Sequence, residues 1–561
     1  MPSFHIASYR DTVLTTLRHR TGQRGIALIT ALFIIVIMLI LVGSLLDSMP
    51  QELRAVSYTG YDNRALYVAD AGIQGMTLSV EERSALGLAP VSPLSYSYPP
   101  ETDGTQAHYL VTTLDAGTVY NGVQYYAVQS LGYSPQGDRR RVRAVLQQGC
   151  FCGYNYVGKS NAPGNYFVAN LMQFNGPVYL EGSAANPVNI QWYNNAAALF
   201  MDNVTVAGAY AWFGPNGSTG SAAQPKSVAD WATIDSQGQG KVAFTGANTV
   251  KFPPMSQSAM LANEAFQGNA GSGSFPAPGA NGVYINQQPA AADACSGGVA
   301  SGIYVQGNVN VNMVSTASTQ TFIFSPSASG SIPGPVAVSL NFTNNTTSIL
   351  TSSGLVTCPG VPNGSSNNGS NSANGAVFVN GDINQLSGSV NGQYTIGVPD
   401  AGGSNNHNVN LTGNITYQHD PLTTCKAPCV STDELGIVAN DAIVSTSSSM
   451  PVPLTIEAAV FAGNQGEVNS KSSDGTFMTD QGNGSGVCKS TVNKNGSLLI
   501  YGSLVNNYIS PLGCFDPSSG NLTHGWADNY KYDTRFNYGQ PPFFPNTNNY
   551  TIISWKDYGN T

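Results

Sequence analysis

Cysteine is the residue type whose number and spacing point most directly to chemistry in this chain. The eight cysteines are an even number, which outside the cytoplasm is typical of disulfides. Sequence spacing favours three pairings, which are Cys425 with Cys429, Cys488 with Cys514, and Cys295 with Cys358. A zinc site is the competing interpretation, but the chain has no Cys-x-x-Cys pair and only six scattered histidines. We therefore predict disulfides, and neither a metal site nor a cofactor.

Carboxylates are the next residues that could do chemistry, because parallel β-helices can act on polysaccharides through acidic groups clustered on consecutive coils. Asp382 and Asp441 fall near corresponding positions of repeat-like units. Other units carry Asn308, Asn414 and Ser503 there, which favours a turn-capping role over catalysis. A serine nucleophile is not indicated either, since no Gly-x-Ser-x-Gly motif with a suitable acid and histidine is present. We predict that the protein is not an enzyme.

Arginine and aromatic side chains are the candidates for ligand recognition. A basic cluster is formed by Arg139, Arg140, Arg141 and Arg143. These arginines either protect an edge strand from aggregation or contact DNA or a neighbouring subunit. Aromatic rings stack on bases for about 1–3 kcal/mol per base, and they also stack on sugars. The candidate rings, for which core packing is the alternative, are Trp192, Tyr193, Trp212, Trp526 and Tyr530.

Net charge is divided unevenly along the chain. Residues 1–150 hold 11 Lys+Arg and 11 Asp+Glu, whereas residues 151–561 hold 11 and 20, a net charge of −9. The larger part therefore lacks the broad basic surface of a protein that binds phosphates over a wide area. With 9% charged, 41% hydrophobic and 10% aromatic residues, the composition favours a β-rich exported fold over disorder.

A long apolar run near the start of the chain predicts how the residues after it are placed. Residues 26–46 are 21 residues without a charge, close to the roughly 20 that a helix needs to cross a bilayer. The arginines before this run predict a single-pass inner-membrane protein with its N-terminus in the cytoplasm and residues 47–561 outside. We expect the helix to continue to residue 82, with small residues such as Ala65, Ala69 and Gly72 on one face.

The rest of the chain predicts strands. Short β-rich runs within 107–148 are typical of an antiparallel sheet. From 150 to 509 a loose unit of alternating apolar residues followed by glycine recurs, which favours a β-solenoid, and a jelly roll or multi-sheet sandwich is the alternative. The predicted units are a leader, 1–25, a transmembrane helix, 26–82, a sheet, 83–149, a solenoid-like domain, 150–509, and a C-terminal segment, 510–561, that packs back on the body.

The start of the chain resembles the leader of type IV prepilins, because a basic segment ends in Arg24-Gly25 directly before the apolar run. The resemblance implies that a prepilin peptidase cuts after Gly25 and that Ile26 becomes an N-methylated N-terminus. Major pilins carry Glu at the fifth mature position, where this chain has Thr30, as in minor or tip-located pilins. Residues 65–73, ALYVADAGI, also resemble PilX-type minor pilins.

The outer region has a family likeness of its own. The segments PVYLEGSA, GIYVQGNV, DELGIVANDAIV and HGWADNYKYDTRFNYGQPPFFP resemble the large ComZ-type minor pilins of competence pili. That resemblance implies an α+β pilin fold, a long N-terminal transmembrane helix plus a small antiparallel sheet, with a large inserted all-β domain that is a β-solenoid. The implied partners are other pilins and minor pilins, the pilus assembly machinery, the prepilin peptidase and the inner membrane, and the implied final location is the cell surface.

These observations lead to two functional hypotheses. The first is a minor type IV pilin at the pilus tip that presents its β-rich domain for DNA uptake or for adhesion, with DNA or surface glycans as ligands. The second is a signal-anchored extracellular β-helix that acts on or binds polysaccharide.

Overall fold

The computed structural model describes most of the chain from residue 24 onward. The described ranges are 24–84, 88–115, 117–120, 123–159, 166–168, 172–184, 187–192, 199–215, 243–247, 250, 252, 255–268, 275–290, 298–299, 301–327, 330–362, 375–398, 407–425, 431–463, 475–482, 485–516 and 521–559. Most of the predicted leader, together with Tyr193, Cys295 and Cys429, lies outside them.

Helices form a small part of the described chain. The two α-helices are α1 (Arg24–Ser84) and α2 (Met255–Gln267), and short 3-10 turns occur at Phe151–Gly153, Ser485–Cys488 and Thr534–Asn537.

Strands form most of the rest. The first eighteen are β1 Leu94–Ser97, β2 His108–Thr113, β3 Thr118–Tyr120, β4 Val123–Tyr133, β5 Arg139–Cys150, β6 Tyr156–Lys159, β7 Tyr166–Val168, β8 Gln173–Asn175, β9 Val178–Gly182, β10 Val188–Trp192, β11 Leu199–Phe200, β12 Val204–Gly208, β13 Tyr210–Pro215, β14 Ala243–Ala247, β15 Gly282–Ile285, β16 Gln288–Pro289, β17 Ile303–Gln306 and β18 Val309–Thr316. The others are β19 Thr319–Pro326, β20 Val336–Asn341, β21 Thr346–Thr351, β22 Gly354–Pro359, β23 Ala376–Asn380, β24 Ile383–Val390, β25 Gln393–Val398, β26 Asn408–Tyr417, β27 Glu434–Ala439, β28 Asp441–Val444, β29 Leu454–Ala462, β30 Thr476–Thr479, β31 Lys494–Asn506, β32 Tyr508–Ile509, β33 Gly513–Phe515, β34 Leu522–Tyr532 and β35 Asn546–Asp557.

About the last five turns of α1, from Ala65 onward, pack on a six-stranded antiparallel sheet of order β1-β2-β4-β5-β35, with β3 paired to β4. The helix buries Ala65, Ala69, Ile73, Met76 and Val80, which recur every three or four residues and so share one face. Small side chains on this face let the helix backbone approach the sheet closely.

The C-terminal strand β35 completes this sheet by pairing with β5. Two hydrogen bonds also attach it to the helix: the Trp555 indole N–H donates to Asp70 at 3.0 Å, and the Tyr550 backbone N–H donates to Glu81 at 2.8 Å. The later part of α1 and the last strand therefore belong to one packing unit.

The largest sheet is a stack of coils in which corresponding strands pair in parallel. One face runs through β17, β23, β25, β27, β29, β31, β6, β9, β12 and β14. A second face runs through β18, β24, β26, β28, β30 and β32. Along the first face, buried apolar residues of successive coils are stacked one above another. In order they are Val377, Ile396, Ile437, Val460, Leu504, Tyr156, Val178 and Val204. This apolar ladder holds neighbouring coils at the spacing of hydrogen-bonded strands, about 4.8 Å.

Chain order and spatial order differ within this stack. The coil that begins at β6 lies directly on β31, where Leu504 pairs with Tyr156 although some 350 residues separate them. Residues after β14 continue from the opposite end of the stack at β15 and β17, which pair with each other. The first and last coils of the domain are therefore in contact at its middle.

The predicted fold class requires correction. In the part of the chain that the structure describes, strands hold 51% and helices 16% of the residues, and the large sheet dominates the architecture. No helix in the described part of the chain is both long enough and apolar enough to cross a membrane. The predicted α+β class with a transmembrane helix is therefore wrong, and so are the prepilin leader and the single-pass inner-membrane location that were predicted with it.

The apolar part of α1 that the structure describes is exposed. Side chains of α1 are described continuously over residues 31–42, where each one is apolar and exposed.

Candidate functional site

The predicted basic contacts lie on β5, in the interior of the six-stranded sheet. Because β5 pairs with β4 on one side and with β35 on the other, the interpretation of an edge strand is wrong. Arg140 places Nη1 3.1 Å from Asp62 Oδ2 and Nη2 2.7 Å from Asp557 Oδ2. One guanidinium thus joins α1 to the last strand across the sheet.

The other arginines of β5 also have partners within the chain. The Arg143 guanidinium lies 4.9 Å from the ring centre of Tyr558, and its Nε donates to Gln129 Oε1 at 2.9 Å. Arg139 and Arg141 likewise interact with other groups of the protein. The basic cluster therefore holds the sheet, the helix and the C-terminus together.

Two of the predicted aromatic contacts are core residues. Trp526 is fully buried, and its Nε1 donates to the Ser445 carbonyl at 3.1 Å. Tyr530 is buried and stacks on Phe174 with ring centres 4.9 Å apart. Burial raises the pKa of the Tyr530 hydroxyl well above its ordinary value. For these two rings the structure selects core packing, the alternative that the sequence left open.

The remaining predicted aromatic contacts are described only in part. Trp192 ends β10 and Trp212 lies in β13, and these two strands pair in parallel. Their side chains and all of Tyr193 lie outside the described part of the structure. A role in ligand binding therefore stays a prediction for these three residues. The backbone of Gly25, Ile26 and Thr30 belongs to α1, and the side chains of Ile26 and Thr30 are not described.

Disulfides tie several of the described loops. Cys488 and Cys514 are bonded, with Cα atoms 5.1 Å apart, and they are one of the three pairs that the spacing favours. Cys150 and Cys152 form a second, local bond that sequence reasoning missed. Cys358 and Cys425 each take part in a further disulfide. Their predicted partners are among the residues that are not described.

The carboxylates at repeat positions cap turns between coils. Asp382 Oδ1 accepts from the Asn408 backbone N–H at 2.9 Å. Asp441 Oδ1 accepts from the N–H groups of Gly475 and Thr476 at 3.0 and 2.8 Å. Asn414 Oδ1 accepts from the Thr455 N–H at 2.9 Å in the same way. These bonds satisfy backbone donors where coils turn, which is the capping role that the sequence favours.

A buried charged cluster around Arg535 was missed by sequence reasoning. The guanidinium pairs with the fully buried Asp533, with Nη2 and Oδ2 2.5 Å apart. Its Nη1 donates to the carbonyls of Ser431 and Asp433 at 3.0 and 2.7 Å. Only the Asp-x-Arg spacing was visible in the sequence, and nothing local indicated that the pair would be buried.

Burial raises the pKa of two carboxyls near this cluster towards neutral pH. Burial raises the pKa of Glu434 to about 7 and that of Glu457 to about 8. Glu457 accepts from the Tyr417 backbone N–H at 2.5 Å and hydrogen-bonds the Asp420 carboxyl. A hydrogen bond between two carboxyl groups needs a proton on one of them, and Glu457 is the buried carboxyl whose pKa is raised.

A cavity of about 290 Å³ lies between the loop that follows Asp420 and the end of β34. It is lined by residues that include Asp202, Leu422, Tyr501, Lys531 and Tyr532. The Lys531 ammonium lies 6.0 Å from the ring centre of Tyr501. Phenol, ammonium and carboxylate groups around an open cavity suit a polar ligand, and a sugar is one such ligand.

The first part of α1 is the largest exposed apolar surface of the described chain. Every side chain from 31 to 42 is exposed, with Phe33 at 66%, Leu39 at 65% and Ile40 at 65%. By contrast, the helix from Ala65 onward buries side chains against the sheet. A helix that is apolar on all sides is normally buried, so we expect another apolar surface to cover this segment.

Known proteins provide no further guide to this site. Comparison of the chain with protein-family models, with curated proteins and with solved structures gives no match. In the described residues, no group of three or more His, Cys, Asp or Glu side chains is placed to hold a metal ion. The function has to be inferred from the geometry of the chain itself.

Proposed function

We propose that this chain is a minor subunit of a pilin-type filament and that its coil stack is the part displayed for adhesion. The observation that carries the proposal is the division of α1 into two parts. The part from Ala65 to Val80 is packed on the chain's own sheet, and the part over 31–42 is apolar and exposed. In a filament, like helices of other subunits would cover the exposed part.

The size of the coil stack favours display over repetition along a shaft. The chain leaves the helix-bearing sheet for the coil stack at Cys150 and returns to the sheet at Asn546. These two residues are register partners on neighbouring strands. Both connections enter the sheet at one place, so the stack is attached at one end of the packing unit. A domain of this size on every subunit would crowd a filament, which supports a minor subunit.

Adhesion is favoured over DNA uptake by the charges of the described residues. The basic cluster of β5 is engaged within the fold through Arg140 and Arg143. Residues 151–561 carry a net charge of −9, and DNA binding draws most of its affinity from cations at phosphates.

Filament incorporation tests the proposal. Leu39→Asp puts a charge into the exposed apolar segment, and Val452→Asp puts the same charge on the coil stack at a residue of matching exposure, 62% against 65%. We expect the Leu39 variant to be depleted at least tenfold from filaments sheared from the native host, and the Val452 variant to be incorporated like the wild type. Equal incorporation of the Leu39 variant would contradict the proposal.

A second candidate function, action on polysaccharide, has one specific observation in its favour. The protonated Glu457 and its partner Asp420 lie next to a loop that lines the cavity containing Tyr501 and Lys531, and a protonated carboxyl can serve as a general acid. Release of reducing ends from polysaccharides by the full-length chain, and its loss in Glu457→Gln, would establish this activity. No release by a folded wild-type chain would remove it from consideration.

A further inference from the structure

One part of the coil stack carries no charge at all. Residues 294–381 contain no Asp, Glu, Lys, Arg or His. At the chain's average of 9% charged residues, a segment of this length would carry about eight. The strands β18–β22 lie within it, and they form a continuous antiparallel sheet in which each strand pairs with the next.

This sheet is anchored on one face, and the residues of its other face are exposed or half-buried. Its inner face contributes Val311, Phe322, Val338, Leu340 and Ile349 to the main core, all of them buried. Strand β18 also pairs in parallel with β24 of the next coil. The outer face, which we name the neutral platform, is therefore held rigidly, and it spans about 19 Å across five strands at the usual spacing.

The neutral platform carries hydroxyl groups in a row. Thr321, Ser339, Ser348 and Thr357 lie opposite one another on successive strands. The hydroxyls of Thr321 and Ser339 are 2.9 Å apart, and those of Ser348 and Thr357 are 3.1 Å apart. Each pair uses one O–H in its mutual bond, so a second O–H and several acceptor lone pairs are left for a ligand.

An apolar row runs beside the hydroxyl row. Ile323, Ala337, Leu350 and Leu355 are register partners on the same four strands, two residues further along each. Two residues of a strand span about 6.8 Å, which is the distance between the rows. Leu350 and Leu355 are 52% and 65% exposed, although they lie directly opposite each other at the end of a hairpin.

Alternating hydroxyl and apolar rows without charge match one class of partner. A pyranose ring has an apolar C–H face and a rim of hydroxyls, so a sugar chain can lie on the apolar row and hydrogen-bond to the hydroxyl row. Nucleic acids and anionic polysaccharides find no cation on this surface, and a charged protein surface would lose hydration without gaining an ion pair. A neutral polymer loses no ionic hydration on binding here.

We propose that the neutral platform is a binding site for uncharged polysaccharide. This inference rests on the proposed adhesive function, because it names the surface and the ligand class through which the displayed domain adheres.

The test is a binding assay of the full-length chain on insoluble polysaccharides. Cellulose, chitin and starch are the neutral probes, and alginate and immobilised double-stranded DNA are the charged ones. We expect the wild type to bind at least one neutral probe with little dependence on salt, and to bind the charged probes at least tenfold more weakly. Binding to none of the neutral probes, or stronger binding to alginate or DNA, would overturn the inference.

Variants locate the site. Leu355→Asp should reduce binding to the neutral probe at least tenfold, and the double variant Ser348→Ala with Thr357→Val should also reduce it, since it removes hydroxyls without adding charge. Val452→Asp is the matched control and should bind like the wild type. Because Leu355 is largely exposed, its variant should unfold at the wild-type temperature. Unchanged binding by both platform variants would refute the site.

Filament incorporation separates this inference from the proposed function. The Leu355 variant should be incorporated like the wild type, because the platform and the exposed part of α1 are different surfaces. Incorporation without binding to any neutral probe would refute the inference alone, whereas binding without incorporation would refute the proposed function alone. Self-association that Leu355→Asp abolishes, with no sugar binding, would assign the platform to a second copy and overturn the inference.

Discussion

Replacing Gly132 with alanine tests the contact through which the sheet holds α1. Gly132 lies in β4 opposite the helix, and an added Cβ would be 2.2 Å from the Ala69 nitrogen and 2.3 Å from the Ala65 carbonyl oxygen. Contacts between carbon and other heavy atoms are favourable at about 3.5–4.0 Å, so the helix would have to move by more than about 1 Å. The opposing atoms belong to the helix backbone, and no side-chain rotation relieves the clash.

The cost can be worked from this geometry. Overpacking a core costs about 1–3 kcal/mol, and we take the upper end because the contact is between two backbones. A loss of about 3 kcal/mol in the local opening free energy raises amide exchange about a hundredfold. Hydrogen exchange of the full-length chain, read on peptides from β4 and from the part of α1 after Ala65, measures this directly.

A second glycine in the same helix is the control. Nothing lies within 4 Å of the Cβ that alanine would add at Gly60. Gly60→Ala should slow exchange slightly, because alanine is favoured over glycine in a helix by about 1 kcal/mol. If Gly132→Ala exchanged no faster than the wild type, the close approach of helix and sheet described above would be refuted.

Three further predictions concern charge, pH and disulfides. Arg140→Met should destabilise the junction of α1 with β35 by about 1–3 kcal/mol, since it leaves two carboxylates without their shared partner; hydrogen exchange of β35 measures this, and unchanged exchange would contradict it. The raised pKa of Glu457 means that its stabilisation is complete below the ordinary pKa of 4.5 and is lost as the pH rises towards about 8. Glu457→Gln should therefore remove up to about 4 kcal/mol of the fall in unfolding free energy between these pH values, and an unchanged pH profile in urea unfolding would disprove the assignment. Replacing Cys488 and Cys514 by serine removes a crosslink between residues 26 apart and should lower the free energy of unfolding by about 3 kcal/mol. Equal melting temperatures of the oxidised wild type and the serine variant would contradict this.

Patterns within short segments were readable from the sequence. The small face of α1 at Ala65 and Ala69 was expected from helical spacing, and the structure buries it. The capping role of Asp382 and Asp441 was expected from the asparagines at equivalent positions, and both carboxylates accept backbone hydrogen bonds. Such features depend on residues within a few positions of each other, or on a repeat, and both are visible without a fold.

The membrane-spanning helix shows the limit of such patterns. Absence of charge over 26–46 predicted a span, yet no described helix is long and apolar enough to be one. The edge-strand interpretation of Arg140 failed for a different reason, because its outer partner β35 comes from more than 400 residues further along.

What a side chain does in this protein depends most on contacts between distant parts of the chain. Trp526 and Tyr530 are residue types that ligand sites use, but they are buried by contacts with distant coils. Tyr530 stacks on Phe174, and Trp526 donates to the carbonyl of Ser445. The Arg535 cluster and the contact of β6 with β31 likewise join segments about 100 and 350 residues apart. Composition and periodicity set the strands, the turn caps and the absence of charge on the neutral platform. Which faces became core and which stayed open depended on the order in which coils stack, because burial is a property of neighbours in space that local spacing does not encode.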